Sequence, residues 1–294
     1  MAPTSEYLTT RELAELLRIK ERKVYDLAAK GKVPCSRATG KLLFARTQIN
    51  AWLADNSSGL APASQKPRAN IFLGSHDPLL EWALMESRSG LASFFDSSFD
   101  GLERYQNHEG IATGLHIYDA ASDQWNIPVI AERFSHEPAV LVEWAWRNRG
   151  LIVSSGARDE YKDITSLRNK RFVPRQAEAG SQQLFNHLLT AAGITPDQLE
   201  LTPTARGETY AAQAVQEGKA DAAFGLETLA RQYQLDFIPI AKERFDLLVE
   251  RRFWFEQPMQ KLLCFCTQKS FQTRAAELGG YNISNLGRVL FNGR

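Results

Sequence analysis

Apolar residues spaced three and four positions apart predict two short helices near the N-terminus of this 294-residue chain. The first helix starts at Thr9, where the order Thr-Thr-Arg-Glu fits a capping box. The second helix covers Glu21–Ala29, with Val24 and Leu27 facing inward. Residues 18–20 form a tight connection between them. This spacing predicts a helix-turn-helix, whose second helix enters the major groove of DNA.

The residues that follow predict a small β-hairpin and a third helix. Gly31 fits a left-handed cap at the end of the second helix. Residues 32–37 and 41–44 flank a turn at 38–40, as in a hairpin with glycine at its turn. A third helix starts at Thr47 and carries Ile49, Trp52 and Leu53 on one side.

This order of elements closely resembles the excisionase/MerR-like winged helix-turn-helix family. The matching positions are Leu8-Thr9, Glu12-Leu13-Ala14, Leu16-Leu17, Val24-Tyr25, Gly31-Lys32-Val33-Pro34, Phe44 and Trp52-Leu53. The family usually has glycine where Arg18 lies and serine where Lys20 lies. The resemblance implies binding to double-stranded DNA. The candidate contacts are Lys20, Arg22, Lys23 and Tyr25 in the groove, and Arg37, Lys41 and Arg46 on the DNA backbone.

Charge favours this reading over a small helical module that binds only protein. Residues 1–68 hold twelve Lys and Arg against six Asp and Glu, a net charge of +6, whereas the rest of the chain carries −5. Such asymmetry indicates a polyanionic partner for the basic segment. Because one small DNA-binding domain offers limited contact area, we expect a homodimer that binds two half-sites.

Composition places few further constraints on function. No apolar run approaches the roughly 18 residues of a membrane span, and the N-terminus lacks a secretory pattern, so we expect a cytoplasmic protein without a membrane partner. Three cysteines do not form a disulfide framework. Cys264 and Cys266 could bind metal or act in redox chemistry, but their apolar surroundings favour a place in the core.

Residues 56–69 are rich in Ser, Gly, Ala and Pro, which predicts a linker between a DNA-binding domain at 1–55 and a larger domain at 70–294. In the larger domain, strand and helix patterns alternate, as in an α/β fold. The predicted strands are 71–75, 91–95, 111–118, 139–142, 151–154, 171–173, 221–225 and 237–240. The predicted helices follow Asp77 and residue 100, cover 181–192 and 211–218, and close the domain as one long or broken helix at 258–278.

The larger domain resembles the periplasmic-binding-protein-like domain of bacterial regulators, also found beside molybdenum-cofactor enzymes. The matching motifs are at residues 74–80, 97–102, 114–116, 125–128, 211–226, 237–240 and 279–281. The resemblance implies a two-lobed type II periplasmic-binding-protein-like domain, preceded by the small winged helix-turn-helix domain. Its lobes would be joined by crossover strands, with a ligand in the cleft.

Strand-to-helix loops would supply most of the ligand contacts, because free amides and the positive end of a helix dipole favour an anion there. Arg175 would add charge and a fork of donors. The candidate residues are Ser75, His76, Ser97, Ser98, His116, Asn126, Arg175, Gly180, Ser181 and Gln182.

The resemblance implies a molybdate or tungstate ligand, but residues 174–182 depart from the family pattern. Gln182 replaces an arginine, Ala179 replaces a serine, and Glu178 replaces a glycine. A carboxylate facing the cleft would repel an oxyanion. The alternative is a small organic or cofactor-like ligand.

Catalytic signatures do not emerge from the sequence. No histidine pair has metal-ligand spacing, and no nucleophile elbow or phosphate loop occurs, although Glu208 and Asp221 are acids in family-matching tracts. We therefore interpret the chain as a one-component transcriptional regulator, not an enzyme, with no cofactor or metal. The alternative is a binding-fold enzyme or cofactor-handling protein whose head is a tether.

Overall fold

The computed structural model describes residues 6–37, 40–55 and 68–294. The chain divides between residues 67 and 68 into two compact units. Most of the predicted linker, residues 56–67, lies outside the described residues. Arg68 belongs to the second unit, because its Nη1 donates a hydrogen bond to the Gly110 carbonyl at 3.0 Å.

The first unit contains three helices and one short antiparallel strand pair within its described residues. Its elements are β1 (Tyr7–Leu8), α1 (Thr10–Leu17), α2 (Glu21–Ala29), β2 (Phe44–Ala45) and α3 (Arg46–Asp55). The predicted capping box is confirmed, since Thr9 and Glu12 bond each other's backbone amides. Arg18 and Gly31 are both left-handed, with φ of 55° and 64°, a conformation that glycine adopts without steric cost but arginine does not.

The predicted hairpin is shorter than expected in its described part, and residues 38 and 39 of its predicted turn lie outside the described residues. Within the described residues, Ser36 and Leu43 form an isolated antiparallel bridge, and Phe44 pairs with Leu8 instead of continuing the hairpin. Packing explains the difference, because Phe44 is fully buried and closes a core with Leu13, Val24 and Ile49. The chain therefore turns from the hairpin toward its own N-terminal strand.

The second unit is built on one long mixed sheet. The strands of this sheet are β3 (Ile71–Ser75), β4 (Ala92–Asp96), β5 (Ala112–Leu115), β8 (Ala139–Val153), β9 (Arg171–Val173), β10 (Glu200–Leu201), β11 (Ala222–Leu226), β12 (Asp236–Glu250), β13 (Tyr281–Asn282) and β14 (Val289–Asn292). Strands β6 (Tyr118–Asp119) and β7 (Gln124–Trp125) form a separate antiparallel pair. The α-helices of this unit are α4 (Pro78–Glu86), α5 (Ser98–Gln106), α6 (Ile127–Phe134), α7 (Gly180–Ala191), α8 (Glu208–Gln216), α9 (Glu227–Gln232), α10 (Gln257–Cys266) and α11 (Lys269–Leu278).

The order of strands along the sheet, β10-β9-β11-β8-β12-β5-β3-β4, defines two lobes. The first lobe is built around the parallel strands β3, β4 and β5, and the second around the parallel strands β9, β10 and β11. Antiparallel β8 and β12 pair over nearly their whole length and pass from one lobe to the other. We call β8 and β12 the crossover strands.

The crossover strands correct the sequence prediction. Segments 139–142 and 151–154 are the two ends of one 15-residue strand, and 237–240 is only the start of another. The prediction divided β8 and cut β12 short because charged residues interrupt the apolar pattern at Glu143, Arg147, Arg149 and Glu243. In the structure those four residues are buried, each at most 3% exposed.

Residues 258–278 were predicted to form one long or broken helix. The helix is broken, because α10 ends at Cys266 and α11 starts at Lys269. Cys266 is buried, as predicted, but Cys264 is exposed. Two residues apart on a helix lie about 200° apart around its axis, so both cysteines cannot face the core. No helix among the described residues has the length and apolar character needed to cross a bilayer.

Candidate functional site

A cavity of about 480 Å³ is lined by residues from both lobes of the second unit. The first lobe supplies the carboxyl ends of β3, β4 and β5, and the second supplies the first turns of α7 and α8. The predicted ligand residues that line this cavity are Ser75, His76, Ser97, His116, Arg175, Gly180 and Ser181. Loops from distant parts of the chain therefore meet at one site.

Helix N-termini give the cavity wall an anion-binding character. Both α7 and α8 begin on this wall, and neither has a hydrogen bond from a capping side chain. The first amides of a helix have no intrahelical partner and carry a partial positive charge. Two uncapped helix starts around one cavity favour a bound anion.

Arg175 is the cation best fixed in the wall. Its side chain is only 9% exposed, and its Nε and Nη2 each donate to a backbone carbonyl at 3.0 Å, those of Ala205 and Arg206. Its Nη1 lies 3.9 Å from Glu208 and has no hydrogen bond within the part of the chain that the structure describes. Burial lowers the pKa of Arg175, so its charge is stabilised less well than in water. An anion in the cavity would complete its hydrogen bonding.

The other three predicted ligand residues lie behind the wall. Ser98 Oγ is 2.8 Å from Ser75 Oγ and accepts from the His116 amide. Gln182 Oε1 accepts from the Arg175 amide at 2.7 Å. Both side chains hold the backbone or side chain of a residue that does line the cavity.

Asn126 is farther into the first lobe. Its Oδ1 accepts from the Ile117 amide at 2.6 Å, and its Nδ2 donates to Asp246 Oδ2 at 2.7 Å. Asn126 therefore joins the segment after β5 to crossover strand β12.

Sequence reasoning missed the carboxylate at the centre of the crossover strands. Glu243 is fully buried, and its carboxylate contacts Arg147 and lies 2.6 Å from the Nε of Arg149. His116 Nδ1 lies 2.9 Å from the same carboxylate. One acid thus holds two arginines of the neighbouring strand and one wall residue of the cavity.

This cluster extends into both lobes as a chain of alternating charges. Asp77, at the start of α4, pairs with Arg147 at 2.9 Å. On the other side, Arg149 pairs with Glu208 at 2.9 Å, and Glu208 leads to Arg175. The charge chain is, in order, Asp77, Arg147, Glu243, Arg149, Glu208 and Arg175. The contact between Glu208 and Arg175 is the longest in this charge chain, so the charge of Arg175 at the cavity is the least compensated.

Neighbouring donors fix the far end of the charge chain. Asp77 accepts hydrogen bonds from the Leu80 amide, the Trp144 indole and the Tyr281 hydroxyl at 2.7–3.0 Å. Trp144 is buried in the core of the first lobe. The only hint in the sequence was two arginines, Arg147 and Arg149, at alternate positions of an apolar strand.

The pKa values of the buried groups follow from this network. Burial raises the pKa of Glu243, but Arg147 and Arg149 outweigh it and hold that pKa well below 4.5. Burial lowers the pKa of His116 below 6.5 although Glu243 opposes the shift, so its imidazole is neutral at neutral pH.

Comparison with known proteins agrees with this architecture. A family model described as a PBP superfamily domain matches residues 82–267, and a helix-turn-helix domain model matches residues 7–57. The predicted fold class, a type II periplasmic-binding-protein-like domain behind a helix-turn-helix domain, is confirmed.

Two curated relatives are described as uncharacterized. The protein YvgK of Bacillus subtilis (strain 168) is 26% identical over 99% of both chains. A protein encoded in the 5′ region of a 2Fe-2S ferredoxin gene of Clostridium pasteurianum is 31% identical over 27% of this chain and 71% of its own.

Solved structures with a similar fold include L-phospholactate-bound PEB3, with 9% identity, a TM-score of 0.49 and coverage of 72% of this chain and 98% of PEB3. The effector-binding domain of QuiR in complex with shikimate has 12% identity and a TM-score of 0.45, and covers 66% of this chain and 92% of that domain.

Replacing Glu243 with glutamine should lower the free energy of unfolding by roughly 3–5 kcal/mol near neutral pH, because two buried arginines lose their shared counter-charge. Urea unfolding followed by circular dichroism measures the loss. The matched control is Glu160→Gln, which removes a surface pair with Lys170 at a side chain that is 61% exposed and should change stability by about 1 kcal/mol or less.

The difference in unfolding free energy between the wild type and Glu243→Gln should change with pH in one direction. Because the pKa of Glu243 is depressed on folding, its contribution is complete above pH 4.5 and is lost as the pH falls through the folded-state value. The gap between wild type and Glu243→Gln should therefore narrow on acidification. Equal stabilities at neutral pH, or a gap that widens in acid, would contradict the assigned network.

Proposed function

Because this chain belongs to the periplasmic-binding-protein superfamily and carries an N-terminal helix-turn-helix domain, we propose that it is a one-component transcriptional regulator. The first unit binds double-stranded DNA, and the second binds a small anionic ligand. The protein acts in the cytoplasm, where its DNA is, and catalyses no reaction. The observation that carries this proposal is a basic helix-turn-helix in the same chain as a cavity with a buried, incompletely bonded arginine.

The exposed surface of α2 supports its role as the recognition helix. Arg22 is exposed and has no ion pair within the described residues, and Lys23 lies 3.8 Å from Asp26 in a loose pair. Tyr25 is 53% exposed, a large fraction for an aromatic side chain. With Lys20 at the helix start, these residues present donors and an aromatic face to the edges of bases in the major groove.

The hairpin that follows α2 supplies the contacts that position the first unit on DNA. Arg37 Nη2 donates to the Ala28 carbonyl at 3.3 Å, so the hairpin is tied to the end of α2. Lys41 is exposed, whereas Arg46 is half-buried at the start of α3. In the proposal Arg37, Lys41 and Arg46 contact phosphates, which set register without reading sequence. The two helix-turn-helix domains of a homodimer bind two half-sites of the DNA.

The ligand is an anion held by Arg175 and the uncapped starts of α7 and α8. Molybdate and tungstate are candidates through the family resemblance, and an organic anion is the other candidate. Since both lobes line the cavity, a ligand that contacts both favours the closed arrangement about the crossover strands. Its effect on DNA binding requires different affinities for the two conformations.

Replacing Arg22 or Lys23 with alanine should weaken DNA binding in a fluorescence-anisotropy titration at fixed salt. Losing a contact that reads a base should cost about 1–3 kcal/mol, whereas losing a phosphate contact should weaken binding to all sequences and reduce its salt dependence. Arg158→Ala removes one exposed positive charge from the second unit and serves as the control. If Arg22→Ala and Lys23→Ala both bind DNA as tightly as Arg158→Ala and the wild type do, α2 is not the recognition helix.

The anion assignment is tested by thermal unfolding with molybdate, tungstate, phosphate and simple carboxylates. An anion at a hundred times its Kd should raise the Tm by about 5–10 °C, and Arg175→Gln should abolish the rise. Arg231→Gln is the control, because Arg231 is 57% exposed and pairs with Glu227 on α9. If neither molybdate nor tungstate raises the Tm, both are excluded as ligands. If no anion of the panel raises the Tm, the anion site is contradicted.

A further inference from the structure

Glu208 is an acid in the wall of a cavity that otherwise suits an anion. Its carboxylate accepts from Arg149 Nη1 at 2.9 Å and lies 3.9 Å from Arg175, and its side chain is 16% exposed. Burial raises its pKa, but Arg149 and Arg175 outweigh burial and lower it below 4.5. An anion that binds Arg175 therefore also meets a fixed negative charge.

The charges of the wall cancel rather than favour a dianion. Its two guanidinium groups belong to Arg175 and Arg206, and its two carboxylates belong to Asp96 and Glu208. His116 is buried with a lowered pKa and adds no charge at neutral pH. A doubly charged anion would bring excess negative charge beside Glu208, in a partly buried site where repulsion is weakly screened.

One oxygen of the Glu208 carboxylate, Oε2, also lacks a hydrogen-bond donor within the described part of the chain. This oxygen is buried. A buried carboxylate oxygen without a donor is uncommon, and leaving it unmet costs free energy. Because Glu208 lines the cavity, a ligand with an N–H or O–H group can donate to its carboxylate, whereas a fully deprotonated oxyanion has no such group.

Cavity size points in the same direction. A volume of about 480 Å³ is within the range typical of sites for organic ligands, roughly 300–1,000 Å³. A five-atom oxyanion would leave most of that space to water.

We propose that Glu208 is a specificity-determining residue, which selects an organic ligand with a single anionic group and a hydroxyl or ammonium donor next to it. The anionic group binds Arg175 and the amides at the starts of α7 and α8. The neighbouring donor binds the Glu208 carboxylate. This inference rests on the proposed function of the cavity, and it makes tetrahedral dianions poor ligands.

Matched carboxylates test the inference in the full-length protein. The probes are 3-phenylpropionate, 3-phenyllactate and phenylalanine, together with propionate, lactate and alanine, so that each series differs only in the donor beside the carboxylate. Sulfate and molybdate are the dianions. Calorimetric Kd values are expected to be at least tenfold lower for the best donor-bearing carboxylate than for its plain counterpart and for either dianion.

The Glu208→Gln variant separates selectivity from folding. Glutamine retains an oxygen that accepts from Arg149, and circular dichroism and urea unfolding check that the domain is intact. The variant should lose the tenfold preference for the donor-bearing carboxylate and should bind sulfate or molybdate more tightly than wild type does. Glu217→Gln, on an exposed pair with Lys219, should change neither property.

The possible failures are distinguishable. If sulfate or molybdate binds the wild type as tightly as the donor-bearing carboxylates do, or if Glu208→Gln leaves the order unchanged, the inference is overturned while the anion site stands. If no probe binds, and Arg175→Gln behaves like the wild type throughout, the proposed function of the cavity fails together with the inference.

Discussion

The structure depends on one buried carboxylate shared by two arginines of the adjacent strand. Glu243 on β12 holds Arg147 and Arg149 on β8, at the place where both strands pass between lobes. Burying three charges is unfavourable unless each is paired, so removing any one leaves a severe penalty. The pairing therefore fixes the register of the crossover strands between the two lobes. Asp77 and Glu208 extend the same constraint to one helix of each lobe.

Function follows from where this charge chain ends. Every earlier link is 2.9 Å or shorter, whereas the link from Glu208 to Arg175 is 3.9 Å, and Arg175 lines the cavity. A bound anion would compensate the terminal cation, and its contacts to both lobes would reach the crossover strands through Glu208 and Arg149. The proposed signal thus begins at a group whose electrostatic environment is incomplete without ligand.

Local patterns predicted local structure well. The capping box at Thr9 and the bounds of α2 were predictable because capping and helical periodicity depend on neighbouring residues. Strand β8 was predicted as two pieces and β12 was cut short, because Arg147 and Glu243 break an apolar pattern and only tertiary pairing makes such residues compatible with burial.

The candidate site was predicted at the level of loops rather than side chains. Seven of the ten proposed ligand residues line the cavity, but Ser98, Asn126 and Gln182 lie behind it. A motif places a loop at the cleft without saying which hydroxyl or amide faces the ligand. Glu208 was noted as an acid in a family-matching tract, yet its role depends on Arg149, which lies 59 residues earlier in the chain.

The most direct measurement is the affinity of the full-length protein for the DNA upstream of its own coding region. Anisotropy titrations with and without an anion that raises the Tm, at ionic strength matched with chloride, give the coupling between the two units. We expect salt-dependent binding whose affinity the anion changes at least fivefold. Absence of binding at low ionic strength in both conditions, or an affinity that the anion leaves unchanged, would contradict this expectation.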